Sequence, residues 1–211
     1  MKIILASTSP RRKEILGLLG LPFEVVSPLY EEETLEELSP YEEVVRFSKE
    51  KAKSIGHKYP DALIIGSDTL IEFQGRKIGK PKGPKDAQEI LKSLRGSSHD
   101  ILTGVALYHT HDKSFVTNVE IVPVKMRSYS DKEIEEYVAS GEPMEKAGAY
   151  ALQGKGRELI EKLEGDYLAA VGLPLRAIAQ LLTQLGIKSK RSIDEIYRER
   201  NFLNWKSYAS S

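Results

Sequence analysis

Ser7-Thr8-Ser9-Pro10-Arg11-Arg12 sets hydroxyls and two guanidiniums at what reads as the start of a helix. With Ser9 as N-cap and Pro10 at the first helical position, Arg11 and Arg12 fall at the second and third positions. Cations there oppose the helix dipole, at about 0.3–1 kcal/mol each. An anion bound at that end reverses the sign, because free backbone N–H groups, the Ser7 and Ser9 hydroxyls and both arginines then form a phosphate or carboxylate cradle. A pair of solvated arginines is the alternative. Lys51 lies at the edge of the inward stripe Tyr41, Val44, Ser48, Ala52 and Ile55, where a lysine either snorkels outward or meets a buried anion. Asp68, in Gly66-Ser67-Asp68-Thr69, sits between two apolar runs where an ionised carboxylate is costly unless paired. A structural Asp at a strand bend is the plainer reading. Gly79-Lys80-Pro81 returns on the next strand and brings an ammonium near. Asp68 and a carboxylate from the run Glu31-Glu32-Glu33 suit Mg²⁺, which takes one or two carboxylates plus substrate phosphates. Gly141 to Gly156 is Gly-rich and irregular, and Gln153 within it offers a donor and an acceptor to a base edge. Neither the Walker A spacing nor a Gly-x-Gly-x-x-Gly fingerprint is present. The residues alone point to a Mg²⁺-dependent site for a polyphosphate with a recognised head group.

The elements that must hold these groups alternate in type. Lys2–Ala6 reads as a strand, followed by a helix from Pro10 to about Leu19 and a strand over Phe23–Ser27. Ser39-Pro40-Tyr41-Glu42 is a capping box opening a helix to about Ile55. Ala62–Ile65 is a strand ending at Gly66, and Leu70–Phe73 pairs through a Gln74-Gly75 turn with Lys77-Ile78. Pro84–Leu94 is a helix, and His99–His109 with Ser114–Met126 form a hairpin. Ser130-Asp131-Lys132-Glu133 caps a short helix that stops at Gly141. Glu158–Leu163 and Tyr167–Val171 are expected to pair across Gly165-Asp166, and Pro174–Leu185 is a helix. Helices alternating with strands, hairpins included, give an α/β class with a mixed sheet. One domain spans residues 1–186. Residues 187–211 form an extension with six basic against three acidic residues, in which Ser192-Ile193-Asp194-Glu195 is a further capping box, starting a helix that presents Ile193, Ile196 and Tyr197 to the body or to a partner.

Composition narrows the classes. Lys+Arg and Asp+Glu both count 31 in the 211 residues, so the footprint of a general nucleic-acid binder is missing. No apolar run is long enough to span a bilayer, and the first residues read as a strand, so a cytoplasmic protein without membrane association is the expectation. With no cysteine, thiol nucleophiles and Cys-based metal sites are excluded. Four histidines leave little for a His-based site, and His109-Thr110-His111 reads as part of a turn.

Taken in order, Ala6-Ser7-Thr8-Ser9-Pro10-Arg11-Arg12, Lys51-Ala52, Gly66-Ser67-Asp68-Thr69, Gly79-Lys80-Pro81, Ser98-His99, Thr103-Gly104-Val105-Ala106, Lys146-Ala147-Gly148-Ala149-Tyr150, Gln153-Gly154 and Val171-Gly172-Leu173-Pro174-Leu175 resemble the Maf family of nucleoside triphosphate pyrophosphatases. The resemblance spans nearly all of residues 1–186. It implies an inosine-triphosphatase-like α/β fold with a mixed sheet and two lobes around a central cleft, often as a homodimer. The implied reaction is hydrolysis of a nucleoside triphosphate to the monophosphate and pyrophosphate with a divalent cation, Mg²⁺ or Mn²⁺. Carried over, Asp68 matches the proton acceptor. Ser7, Arg11, Arg12, Lys51 and Lys80 match phosphate and cleft residues, and Glu33 matches the acidic residue that joins Asp68 on the metal. Arg11, Thr69 and Gln153 are similar to the specificity residues of the branch acting on dTTP, UTP and modified pyrimidine nucleotides. The departures are the extension after Gly186 and Glu32-Glu33-Thr34 where the family usually has Asp-Glu-Thr. A nucleotide-binding regulator linked to cell division, with no turnover, is the competing expectation.

Overall fold

The structure is a computed structural model that describes residues 1–208; the last part of the expected extension, 209–211, lies outside the described residues. Among the described residues, seven strands form one mixed sheet. β1 (Lys2–Ala6) runs parallel to β2 (Glu24–Val26) on one side and to the first half of β3 (Ala62–Phe73) on the other. Beyond β3 the sheet turns antiparallel: β5 (Ser98–His109), β6 (Ser114–Met126) and β7 (Ile160–Leu163) follow in order, and β4 (Arg76–Ile78) pairs with the far end of β3. The period-two alternation of β1 sends Ile3 and Leu5 into the main core and Ile4 and Ala6 into a smaller cluster on the opposite face, so the sheet is covered on both sides.

Two expectations are corrected. Gly66-Ser67-Asp68-Thr69 is no bend between strands. β3 runs through it without a break, with Asp68 opposite Gly104 on β5. The glycines serve packing instead. A Cβ on Gly66 would lie 2.1 Å from the Ser48 carbonyl oxygen, and one on Gly104 would lie 2.7 Å from the Val44 carbonyl. Helix α2 (Pro40–Ser54) therefore lies with its backbone directly on β3 and β5. Tyr167–Val171 is not a strand either. It is a short helix, α5, whose first amides at Leu168 and Ala169 are held by the Asp166 carboxylate, while β7 pairs with β6 alone.

The remaining helices are α1 (Pro10–Gly17), α3 (Pro84–Leu94), α4 (Asp131–Ala139), α6 (Leu175–Gln184) and α7 (Ile193–Glu199). The capping boxes of α2 and α4 are formed at Ser39/Glu42 and Ser130/Glu133. The capping box expected at Ser192 and Glu195 is not formed: Ser192 precedes α7 without a side-chain capping bond, and Ile196 is buried against the body with Ile193 and Tyr197 packed beside it. Among the described residues, no helix is long and apolar enough to cross a membrane.

Candidate active site

A cavity of about 460 Å³ opens where the C-terminal end of β1, the start of α1, the middle of β3 and the segment 145–153 meet. Its walls carry Ser7, Ser9, Arg11, Arg12, Lys51, Asp68, Thr69, Lys80 and Gln153, so all the sequence-selected residues except Glu33 come together there. The carboxyl end of a parallel strand leading into a helix N-terminus is the place where an α/β sheet offers free amides to an anion.

Each group is positioned by identifiable contacts. Ser9 caps α1 by accepting from the Arg12 amide at 3.4 Å, and the Ser9 amide donates to Ser7 Oγ at 3.1 Å. The Arg12 side chain turns inward: Nε donates to the Gly172 carbonyl at 2.8 Å and Nη2 to Thr69 Oγ1 at 3.3 Å. Thr69 Oγ1 is in turn shared with Thr103 Oγ1 at 3.1 Å, and Thr103 is tied to the Ala169 carbonyl. Burial works against the Arg12 charge, and the facing Asp68 and Glu32 carboxylates favour it. Lys51, only 7% exposed, donates to Asp68 Oδ1 and pairs with Glu32 Oε1 at 2.6 Å. The lysine at the stripe edge therefore meets a buried anion. Asp68 is 5% exposed, and burial pushes its carboxyl above the usual carboxylate range against the pull of Lys51 and Arg12.

Glu32 takes the place expected for Glu33. Glu33 is exposed, and its backbone carbonyl accepts from Arg46. The cause is a buried ionic knot that sequence spacing does not show. Glu43 on α2, fully buried, accepts from the Leu35 amide at 2.7 Å and pairs with Lys77 at 3.0 Å and Arg46 at 3.2 Å. Lys77 also grips the Leu35 and Leu38 carbonyls, and Arg46 donates to the Tyr30 hydroxyl at 3.0 Å. The acidic segment is thereby fixed in a register that turns Glu32, not Glu33, toward Lys51. Burial raises the Glu32 carboxyl, but Lys51 and Lys80 outweigh it and hold the group below its ordinary value.

Tyr30, Glu145, Lys146 and Tyr150 also line the cavity. Lys146 and Tyr150 belong to a motif singled out in the sequence without a role, whereas Tyr30 and Glu145 carried no signal. Burial, followed by repulsion from Arg11, pulls the Lys146 ammonium down from its usual value. Among the described residues no three His, Cys, Asp or Glu side chains gather as metal ligands, and His109 pairs with Asp112 at 2.9 Å. What the site does offer a cation is two carboxylates, Asp68 and Glu32, already converging on one ammonium. That donor set fits Mg²⁺ or Mn²⁺ completed by phosphate oxygens and water, and does not fit a protein-only cage.

Residues 2–185 match the family model described as Maf-like protein. Over 186 residues the chain is 50% identical to the dTTP/UTP pyrophosphatase of Dictyoglomus turgidum, covering 88% of this chain and 96% of that one. It is 44% identical over 187 residues to the dTTP/UTP pyrophosphatase of Aquifex aeolicus, covering 89% and 97%. The Acetivibrio thermocellus protein of the same name is 42% identical over 200 residues, covering 92% and 100%. Among solved structures, the Staphylococcus aureus Ham1 protein aligns with a TM-score of 0.43 and 14% identity over 61% of this chain and 73% of that one.

Proposed function

Since the chain belongs to the Maf family, we propose that it is a nucleoside triphosphate pyrophosphatase that hydrolyses dTTP and UTP to the monophosphate and pyrophosphate. The observation that carries this is the buried Asp68 carboxyl in a cavity lined as well by the α1 N-terminus and five cationic side chains, Arg11, Arg12, Lys51, Lys80 and Lys146. A carboxylate and an anion cradle in one cavity are the parts needed to attack one phosphorus and hold the phosphates that leave.

The chemistry follows from the placement. Water attacks the α-phosphorus while the bond from that phosphorus to the bridging oxygen of the β-phosphate breaks, and pyrophosphate leaves with the electron pair. Asp68 orients the water and accepts its proton. An Asp raised above its reference pKa of about 3.9 is a better base near neutrality than an exposed one. Lys51 holds Asp68 in place. The α1 amides, Ser7, Ser9, Arg11, Arg12 and Lys80 receive the charge that grows on the leaving pyrophosphate, a fixed arrangement that needs no reorganisation during the step. Asp68 and Glu32 would hold the divalent cation, which when bound adds further neutralisation of phosphate charge. Gln153, which lines the same cavity, would read the pyrimidine edge, with Thr69 acting through its bond to Arg12 and with Arg11 beside them.

The reading is tested with a panel of UTP, dTTP, CTP, ATP, GTP and 7-methyl-GTP. UTP and dTTP should both be used, because their bases differ by a single methyl, worth no more than about 1–3 kcal/mol, and the reading rests on the base edge and not on the 2′-hydroxyl that dTTP lacks. Comparable hydrolysis of all common triphosphates would overturn the pyrimidine claim.

A further inference from the structure

The family match ends at residue 185, yet the chain beyond it reaches the cavity wall. Tyr197 on α7 donates to Asp166 Oδ2 at 2.6 Å, tying the extension to the cap of α5. Past α7, Arg200 and Asn204 take left-handed φ values of +51° and +61°, which fold the chain back on itself. Trp205 is then buried, stacked on Tyr167 with ring centroids 6.1 Å apart. The consequence falls on Leu203. Its carbonyl accepts from the Tyr167 hydroxyl at 2.6 Å and from Gln153 Nε2 at 3.3 Å. Tyr208 closes the other side, donating to the Leu152 carbonyl at 2.8 Å.

A carboxamide bonded to a carbonyl must present its NH₂ there. The oxygen of Gln153 is thereby fixed as the end left for the cavity, beside the second N–H. Uracil and thymine offer N3–H as donor and O4 as acceptor, which this orientation matches. Cytosine offers the reverse, an acceptor at N3 and a donor at N4. A glutamine free to flip its amide satisfies either base, and one held at its nitrogen does not.

We infer that the extension 187–208 is a specificity clamp: the Leu203 carbonyl, anchored by Trp205 on Tyr167, locks the Gln153 amide in the orientation that selects uracil and thymine over cytosine. This rests on the base-reading role of Gln153. Trp205 and Leu203 are positioning residues, and their effect is on discrimination rather than on turnover.

The test uses the full chain and the ratio of kcat/KM for UTP to that for CTP. Gln153→Ala should collapse the ratio at least ten-fold. Trp205→Ala should lower it about five- to ten-fold, on the scale of one lost hydrogen bond. That loss should come mainly through a lower KM for CTP, with kcat for UTP within two-fold. Trp205→Phe, which keeps a ring against Tyr167, should restore it, and Trp205→Ala should add nothing in a Gln153→Ala background. Trp205 is the single tryptophan, so its fluorescence reports independently whether the extension is docked. Should Trp205→Ala fail to fold, Tyr167→Phe removes one bond from the Leu203 carbonyl and keeps the ring stack, and the same loss of discrimination is expected. A ratio unchanged in Gln153→Ala overturns the role of Gln153 and the clamp with it. A ratio lost in Gln153→Ala but kept in both folded clamp variants overturns the clamp alone.

Discussion

Gly66→Ala tests whether the close seating of α2 on β3 is what delivers Lys51 to Asp68. The new Cβ would lie 2.1 Å from the Ser48 carbonyl oxygen, 2.9 Å from the Ala52 nitrogen and 3.0 Å from the Ala52 Cβ, all on α2. Two of these are backbone atoms and cannot rotate away. An ordinary carbon–oxygen approach is about 3.3–3.6 Å, so the helix must lift by about 1 Å. Overpacking of this kind costs about 1–3 kcal/mol. For a chain of this size each kcal/mol lowers Tm by about 2–4 °C, giving a fall of about 2–12 °C. Lys51 lies one helical turn beyond Ser48 and rides on the displaced segment, and a shift of about 1 Å at a catalytic group can cost up to about 100-fold in rate. The assay is a melting curve paired with pyrophosphate release from UTP. Gly17→Ala is the control. It ends α1 in open space, so its stability should hold or rise by up to about 1 kcal/mol. A Gly66→Ala protein with unchanged Tm and unchanged turnover would refute the reasoning.

Two further predictions concern ionisation and the cation. His99 is buried, with Nε2 2.6 Å from the Tyr150 hydroxyl and Nδ1 unpartnered, and burial lowers it to about 4. The unfolded chain therefore takes up a proton near pH 6.5 that the folded chain refuses until about 4, so stability falls as pH drops through that window, by about 3 kcal/mol in all. Urea midpoints at pH 7, 5.5 and 4.5 should show the loss, and His99→Gln should flatten it. Glu32→Gln should raise the Mg²⁺ concentration for half-maximal activity about ten-fold or more, the scale on which metal-site partners act. Glu33→Gln should leave it within about two-fold; the opposite ranking would return the metal role to Glu33.

Much of the scaffold is legible because its signals are local. Pro84 and Leu94 bound α3 as the sequence marks them, and the capping boxes at Ser39 and Ser130 declare their helices in four residues. The seven-residue stretch at the start of α1, with Asp68, Lys51 and Lys80, stands out in the sequence because charges were placed where a helix start or an apolar strand would otherwise reject them, and the structure brings these residues to one cavity. Most of what failed depends on partners distant in sequence. β3 looked broken at Gly66 because the need for that glycine comes from α2, about twenty residues earlier. Tyr167–Val171 begins and ends on strand-forming residues and has only five positions, too few for helical periodicity to show; the helix-forming Leu168-Ala169-Ala170 and the adjacent Asp166 cap decide it. Glu32 differs from Glu33 only through the Glu43, Arg46 and Lys77 knot. The bond from Gln153 to Leu203 spans 50 residues and follows no motif.

Whether Asp68 is the base of a reaction releasing pyrophosphate is decided by the turnover of UTP with Mg²⁺ by the wild type and by Asp68→Asn, with pyrophosphate and orthophosphate quantified separately. The account predicts one pyrophosphate per monophosphate from the wild type, and a loss of about 10²–10⁴-fold in the variant with nucleotide binding retained. Orthophosphate as the product, or a variant that still turns over at the wild-type rate, would contradict it.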